Sequence, residues 1–150
     1  MTKKRKKNPL TKTALKKQLK RLTNKADKVF SLYIRERDNQ LYNKVCPLCN
    51  KKPIQCCFHF VTRKRKSVRW DHQNSCGGCH TCNYLENYFS DLSRYWYIKK
   101  FGADQYLLLV ERAKRDFTPT KEDLENVIFA YSCMLEDLKR SKLDARQVRP

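Results

Sequence analysis

The most regular apolar pattern lies near the start of the chain. From Thr11 onward, apolar side chains recur every three or four residues, which is the spacing of one face of an α-helix. The spacing predicts a single basic helix over residues 11–38, whose apolar face comprises Leu15, Leu19, Leu22, Ala26, Val29, Phe30 and Tyr33. The lysines on this helix are equally compatible with a solvated face and with direct contact to DNA.

Helical spacing returns from Tyr84 onward. The stretch "ENYFSDLSRYWYIKKFG" predicts a helix that ends at Gly102, because glycine commonly follows the last helical residue. A break at "TPT" leads into Thr120 and Asp123, which resemble a capping box at the start of another helix. A C-terminal helical region is therefore predicted over residues 102–150. Its apolar stripes predict helix–helix packing and comprise Tyr106, Leu109, Val110 and Ala113, then Leu124, Val127, Ile128, Tyr131, Leu135 and Leu138.

The centre of the chain, within residues 39–101, has a different pattern. The run "PIQCCFHFV" is rich in apolar and aromatic residues and is typical of a strand, and "SVRW" is its predicted partner. The basic run Arg63–Lys66 would then form the loop of a hairpin. Short strands between long helices predict a mainly helical α+β fold.

Eight cysteines need an explanation in this centre and around it. Cys46 and Cys49, and later Cys79 and Cys82, form two Cys-x-x-Cys motifs, each of which directs two sulfurs to one point. Four thiolates around one point are the ligands of a structural Zn²⁺ site. Disulfides or a redox Cys-x-x-Cys are the alternatives, but no βαβ pattern surrounds either pair.

The other cysteines are assigned less directly. Cys76 could replace a ligand because "CGGCHTC" contains three evenly spaced sulfurs, and His80 is a further alternative ligand. Cys56 and Cys57 lie on the predicted strand as small buried side chains. Cys133 falls on an apolar helix stripe and is predicted to lie in the core.

Charge identifies the kind of partner. The 34 Lys and Arg residues exceed the 15 Asp and Glu residues, which gives a formal net charge of +19. A chain this basic repels itself unless a polyanion neutralises it, so nucleic acid is the expected partner. An anionic membrane surface is the rival, although no stretch is long and apolar enough to span a bilayer.

The first residues are predicted to form a disordered basic arm, residues 1–10, because they are strongly basic. They lack the apolar core of a secretory signal, so we expect an intracellular protein that is not secreted, in a reducing compartment.

One histidine lies close to the densest basic run. His59 follows on the predicted strand, Asn74 comes after the predicted hairpin, and Asn83 follows the last cysteine of the second motif, with Asn87 one helical turn later. This order, laid over the two Cys-x-x-Cys motifs, resembles an HNH (His-Me finger) nuclease of the zinc-knuckle type. More narrowly, "IRERD", "CPLC", "IQCCFHFVTR", "RWDHQN" and "CHTCN" resemble the lambdoid phage NinG (Rap) recombination proteins.

The resemblance covers about residues 32–101. It implies a zinc-stabilised ββα core over residues 39–101, flanked by N-terminal and C-terminal helices. It also implies a DNA endonuclease that cuts branched recombination intermediates such as Holliday junctions, in the cytoplasm of a bacterium that hosts the phage. Cutting two strands suggests a homodimer.

The resemblance also implies residue roles. His59 would be the general base, since a neutral imidazole can take a proton from water. Asn74 would orient the imidazole through a side-chain hydrogen bond. Asn83 would hold a catalytic Mg²⁺ or Mn²⁺, and Asp71 could complete the ligand shell, with Glu86 the other carboxylate nearby. Many HNH nucleases carry an acidic ligand just before the base, and Phe58 occupies that position here.

Several alternatives stay open from the residues themselves. His59 could be a packed strand histidine, and Asn83 and Asn87 could be helix caps. The chain could be a non-catalytic zinc-stabilised DNA- or RNA-binding protein, or an HNH nuclease that nicks duplex DNA. The predicted DNA contacts are Arg63, Lys64, Arg65, Lys66, Arg69, Lys3, Lys4 and Arg5. Aromatic side chains that could stack on unpaired bases, or could pack in the core, are Tyr84, Tyr88, Tyr95, Trp96 and Tyr97.

Overall fold

A computed structural model describes the backbone of residues 11–147 and the side chains of residues 11–142. Five helices and a small two-stranded sheet form this part of the chain, which confirms a mainly helical α+β protein. In chain order the elements are α1 Lys12–Leu41, β1 Cys56–His59, β2 Ser75–Gly78, α2 His80–Leu85, α3 Ser90–Phe101, α4 Ala103–Lys114 and α5 Lys121–Gln147. The predicted arm, residues 1–10, lies outside the described residues.

Helix α1 is the long predicted helix, and it packs along α5. The Thr11 hydroxyl accepts a hydrogen bond from the Ala14 N–H at 3.3 Å and so caps the first turn. The helix continues to Leu41, beyond the predicted end at residue 38. The predicted stripes of the two helices form one buried cluster, whose buried members are Ala26, Phe30, Tyr33, Ile34, Trp70, Leu124, Tyr131 and Leu135.

Helices α1 and α5 run in the same direction. The Tyr33 and Tyr131 ring centroids lie 5.1 Å apart, and seven residues further along both helices the Gln40 amide donates to the Leu138 carbonyl at 3.2 Å. A shared spacing of seven residues is that of a parallel pair with a heptad-like seam. Residues 42–120 therefore carry the chain back to the starting end of α1 before α5 begins.

Two predicted helix boundaries agree with the structure. Gly102 ends α3 with φ of 93°, and its N–H donates to the Ile98 carbonyl at 2.8 Å. The Asp123 N–H donates to the Thr120 hydroxyl at 3.1 Å, while the Thr120 N–H donates back to the Asp123 carboxylate at 2.8 Å. This reciprocal pair is the predicted capping box, at the start of α5.

The sheet differs from the predicted hairpin. The strand predicted within residues 53–61 contains β1, but its partner is β2 and not "SVRW". Lys66–Val68 forms a single 3-10 turn instead. Val68 packs into a second core with Phe58 and Leu109, whereas Trp70 packs into the α1–α5 core. Because Val68 and Trp70 are buried in two different cores, this segment forms a compact loop and not a strand.

The C-terminal end of α1 holds the free edge of the sheet. Residues Ser75 and Gly77 direct backbone groups away from β1. The Arg37 guanidinium donates to the Ser75 carbonyl at 2.9 Å, and the Asp38 carboxylate accepts from the Gly77 N–H at 2.6 Å. Arg37 and Asp38 also form a salt bridge with each other at 2.6 Å. The backbone hydrogen-bonding groups at the free edge of this short sheet are thereby paired with the side chains of an ion pair on α1.

Gly77 is required where α1 crosses the sheet. A Cβ atom at this position would lie 2.8 Å from Cγ2 of Ile54 and 3.1 Å from Cβ of Asp38. Only glycine allows the strand to approach the carboxylate this closely.

Within residues 11–147, none of the helices has the length and the apolar character needed to cross a lipid bilayer.

Replacement of Asp38 by alanine tests the importance of this edge. Asp38 is only 1% exposed, so the change leaves both the Gly77 N–H and the Arg37 guanidinium without their buried acceptor. We expect a loss of about 3 kcal/mol in the free energy of unfolding, measured by urea denaturation in a buffer that contains Zn²⁺. Asp91→Ala is the matched control, because Asp91 is 87% exposed in a surface salt bridge, and it should change stability by less than about 0.5 kcal/mol. Equal urea midpoints for the two variants would contradict this role.

Candidate functional site

The four cysteines of the two Cys-x-x-Cys motifs converge on one point. Their sulfur atoms, from Cys46, Cys49, Cys79 and Cys82, all lie within 4.8 Å of one another. Cys46 and Cys82 sulfurs are 3.9 Å apart, and so are those of Cys49 and Cys79. Tetrahedral Zn²⁺ with bonds of about 2.3 Å places its sulfurs about 3.8 Å apart. The predicted four-cysteine set therefore forms a site that could hold a zinc ion.

The backbone around these cysteines has the turns that such a site needs. Asn50 adopts φ of 52°, and its N–H donates to the Cys46 carbonyl at 2.8 Å, which folds the first motif back on itself. Cys79 caps α2, and its sulfur accepts from the Cys82 N–H at 3.4 Å. Burial raises the pKa of the Cys49 thiol, but hydrogen bonds from the Lys52 and Lys51 N–H groups and from the Cys82 and Cys46 side chains together lower it to about 7. Burial raises the pKa of the Cys46 and Cys82 thiols, so the surroundings favour the thiolate form at Cys49 but not at those two positions.

The remaining cysteines lie apart from this cluster. Cys76 is buried on β2 beside Phe58 and is not among the converging sulfurs, so the choice of Cys79 and Cys82 is confirmed. Burial raises the pKa of the Cys57 thiol to about 12, which makes it an inert strand residue. Cys133 is exposed, so its predicted place in the core is wrong. It lies off the α5 stripe that faces α1.

His59 opens into a cleft of about 750 Å³. Helix α1 forms one wall through Asp27, and α2 with the turn that follows it forms another through Asn83 and Glu86. Arg63 of the basic loop lies at the same cleft. The cleft therefore brings the His59 imidazole, the Asn83 amide, two carboxylates and the Arg63 guanidinium together from parts of the chain that are distant in sequence.

The imidazole of His59 is fixed by a backbone carbonyl. Its Nε2 lies 3.1 Å from the Arg69 carbonyl oxygen. A carbonyl only accepts, so Nε2 carries the proton and a neutral ring has its lone pair on Nδ1. Burial lowers the pKa of His59 below 6.5, and the positive charges of Arg63 and Arg69 act in the same direction. The ring is neutral at pH 7.

Asn74 does not make the hydrogen bond that was predicted for it. Its amide oxygen accepts from the Val61 N–H at 2.7 Å, and its amide nitrogen donates to the Val61 and Val68 carbonyls at 2.9 and 3.0 Å. Both amide protons are used by backbone, and Asn74 is fully buried. The side chain closes the loop between the strands, and the Arg69 carbonyl of that loop contacts the imidazole instead.

Asp71 is turned away from the cleft. Its carboxylate accepts from the Arg112 guanidinium at 2.9 and 3.1 Å and from the Gln73 N–H at 2.8 Å. It does not line the cleft that contains Asn83. The structure therefore does not bring Asp71 and Asn83 together as ligands of a catalytic metal, because Arg112 of α4 binds the Asp71 carboxylate.

Asp27 is a cleft residue that the sequence pattern did not reveal. Its carboxylate accepts from the Arg69 side chain at 2.9 and 2.5 Å and from the Trp70 indole N–H at 3.0 Å. Arg69, predicted to contact DNA, is thus engaged in a two-point salt bridge within the protein. The available signal was that Asp27 is the first acidic residue of a long basic segment.

The basic loop itself is open to solvent. Arg63, Lys64, Arg65 and Lys66 are all exposed. None of the four takes part in the salt bridges formed among residues 11–142. The other predicted contacts, Lys3, Lys4 and Arg5, lie outside the described residues.

The five aromatic residues that were candidates for base stacking divide into two groups. Tyr84, Tyr88 and Tyr95 are more than 60% exposed, whereas Tyr97 is buried. Trp96 is half-buried and donates its indole N–H to the Pro47 carbonyl at 2.9 Å. Core packing therefore explains Tyr97 and part of Trp96.

No protein-family model, curated protein or solved structure matches this chain.

Zinc content tests the four-cysteine site. We expect one zinc ion per chain in native mass spectrometry of the wild type. The Cys49→Ser variant should lose the ion, and most of the cooperative transition should disappear from its thermal unfolding curve. The reason is that a structural zinc site contributes about 10–16 kcal/mol to the folding free energy of small domains.

Cys133→Ser is the matched control, since Cys133 is exposed and distant from the sulfur cluster. It should keep both the metal and the transition. A Cys49→Ser protein that is zinc-free and as stable as the wild type would refute the ligand assignment.

Proposed function

We propose that this chain is a metal-dependent DNA endonuclease, in which β1, the basic loop, β2 and α2 act as a His-Me finger. The observation that carries the proposal is that His59, Asn83 and Arg63 line one cleft, although they come from a strand, a helix and a loop. An imidazole base, an oxygen ligand and a phosphate-binding cation are the groups that phosphodiester hydrolysis needs.

His59 is the proposed general base. Its Nε2–H is held by the Arg69 carbonyl, so Nδ1 has the free lone pair that takes a proton from the attacking water. The water oxygen bonds to phosphorus as the bond to the leaving 3′ oxygen breaks. The lowered pKa of His59 favours this role because it keeps the ring unprotonated at neutral pH.

Asn83 and Glu86 are the proposed ligands of a catalytic Mg²⁺ or Mn²⁺. Both line the His59 cleft, and amide and carboxylate oxygens are donors that hard cations prefer. When bound, such a cation supplies positive charge that offsets the charge on the scissile phosphate and the leaving oxygen. Glu86 replaces Asp71 in this proposal because it lines the same cleft as Asn83, where the other carboxylate, Asp27, is already bound by Arg69.

The proposed zinc site holds this arrangement together. Residues 46–49 and 79–82 are fixed to each other through the sulfurs, so both ends of the segment that carries His59 are anchored, and Asn83 directly follows the last ligand. The proposed function thus depends on a structural Zn²⁺ and, separately, on a catalytic cation.

The exposed loop Arg63–Lys66 is the proposed DNA contact beside the base. Its charges would draw the sugar–phosphate backbone across the cleft without reading base sequence. Selectivity for branched DNA, such as Holliday junctions, and a homodimeric form are proposed on the family resemblance described above.

A second function is favoured by one observation. Within residues 11–142, the four-cysteine cluster is the sole close group of three or more His, Cys, Asp or Glu ligands. Phe58, in place of an acidic ligand, is buried in the second core. A non-catalytic zinc-stabilised nucleic-acid-binding protein would need no second cation site, and it is the alternative.

Cleavage of a labelled four-way DNA junction separates the two functions. We expect the wild type to cut the junction with Mg²⁺ or Mn²⁺ and not without added cation. His59→Ala should reduce the rate by a factor of at least about 10² while junction binding is retained, because the proton acceptor is lost. Junction binding without cutting, by the wild type with either cation, would identify the binding protein instead.

Two further samples complete that experiment. His72→Ala is the matched control, since His72 is exposed and does not line the His59 cleft, and it should cut at the wild-type rate. Linear duplex of the same sequence tests branch selectivity. Equal cutting of duplex and junction would leave a duplex-nicking nuclease of the same mechanism.

The pH dependence of cleavage tests the protonation state of His59. A general base works when unprotonated, so the single-turnover rate should fall as pH drops through the pKa of His59 and level off above pH of about 7. Because Arg63 lowers that pKa, Arg63→Gln should move the midpoint to higher pH. Arg65→Gln, in the same loop but outside the cleft, should leave it unchanged. NMR titration of the His59 ring without DNA should give a higher pKa for Arg63→Gln than for the wild type and for Arg65→Gln. A midpoint that does not change in Arg63→Gln would contradict the role of His59 as the titrating base.

A further inference from the structure

A second cleft lies away from the His59 site. It has a volume of about 730 Å³, and none of its lining residues is shared with the His59 cleft. The end of α1 forms one side and α3 the other, and the aromatic lining comprises Tyr42, Trp96, Tyr97 and Phe101. Small-molecule sites commonly have volumes of about 300–1,000 Å³ and aromatic walls with a few polar groups. The cleft therefore has the size and the lining of a ligand site.

Lys100 supplies the charge of this cleft. Its ammonium nitrogen lies 4.5 Å from the centroid of the Tyr42 ring and 5.6 Å from that of Trp96. Contact with two aromatic rings favours this position of the cation over free motion in solvent. Lys100 takes no part in the salt bridges formed among residues 11–142. Its positive charge is available to an anion.

Arg37 adds a hydrogen-bond donor at the other side of the cleft. Four of its five N–H groups are used by the Asp38 carboxylate and the His72 and Ser75 carbonyls. One N–H group, on Nη1, remains. Because Asp38 neutralises the charge of Arg37, Lys100 makes the net charge of the cleft positive. The cleft thus combines aromatic surface with one net positive charge.

We propose that this second cleft binds a nucleotide, with the planar base against the accessible rings of Phe101 and Tyr42 and the phosphate on Lys100. Every base has a π face that stacks on aromatic side chains, and a phosphate accepts from an ammonium group. The nucleotide has two sources, a free mononucleotide or one residue of a nucleic-acid strand. The site is separate from the proposed hydrolysis at His59, and its occupancy does not depend on cleavage.

Two tryptophans make the binding directly measurable. Trp96 lines the second cleft, whereas Trp70 does not line it and donates its indole N–H to Asp27, which lines the His59 cleft. In ¹H–¹⁵N spectra of the zinc-loaded full chain without Mg²⁺, titration with dAMP should shift the Trp96 indole signal and leave that of Trp70 unchanged. Adenosine and inorganic phosphate, titrated separately, should each bind at least about tenfold more weakly, since each offers only half of the contacts.

A neighbouring pair of lysines provides the matched variants. Lys100→Gln should weaken dAMP binding by about tenfold through loss of the charged contact. Lys99→Gln, one residue away, exposed and outside the cleft, should change it by less than about twofold. Phe101→Leu should weaken dAMP without affecting phosphate. Unchanged Trp70 signals in all three variants verify that the fold is intact.

A short single-stranded oligonucleotide distinguishes the two sources. If it shifts Trp96 at lower concentration than dAMP does, the site takes a nucleotide within a strand, and the reverse order identifies a free mononucleotide. Phosphate alone binding as tightly as dAMP would overturn the proposal, and so would a Trp96 signal that neither nucleotide ligand moves. Because no cleavage is measured, failure here leaves the endonuclease proposal intact, and an inactive His59 site leaves this one intact.

Discussion

The convergence of four sulfurs is the constraint on which the rest of the site depends. It joins residues 46–49 to residues 79–82, and the segment between them contains both strands and the basic loop. A two-stranded sheet of four-residue strands is at best marginally stable in water by itself. Here the sheet is flanked by the two cysteine motifs at its Cys56–Gly78 end and held along its free edge by Arg37 and Asp38. The position of His59 relative to Asn83 follows from these attachments.

Electrostatics divides the basic residues into two classes. Arg37, Arg69 and Arg112 each bind a carboxylate within the protein and join distant segments. Arg63, Lys64, Arg65 and Lys66 remain exposed and carry uncompensated charge. Within residues 11–142, these ion pairs therefore link segments of a strongly basic chain, while the charges of the Arg63–Lys66 loop face solvent. This division explains how one basic composition contributes to the fold and also leaves cations for the proposed nucleic-acid contact.

The sequence predicted the features that repeat or that depend on local spacing. Helical periodicity located α1 and the C-terminal helices, the Thr120–Asp123 box located the start of α5, and the Cys-x-x-Cys spacing identified the four converging sulfurs. Strand propensity failed at β2, because "SCGG" is a poor strand sequence whose glycines are needed for close approach to α1 and β1. The salt-bridge partners of individual charged residues were also not predicted. The choice of Arg112 for Asp71, and of Asp27 for Arg69, is made by packing between elements that lie about forty residues apart.

The parallel pairing of α1 with α5 has a consequence for biosynthesis. The apolar seam of α1 stays uncovered on the ribosome until residues 42–120 and then α5 have been translated. Contacts between such distant parts of a chain form late, because the entropy of closing a long loop is lost before the contacts stabilise the chain. Exposed apolar surface on a nascent chain favours aggregation and chaperone engagement. Completion of this core therefore waits for α5, and the four-cysteine centre between the two helices leaves the ribosome before it.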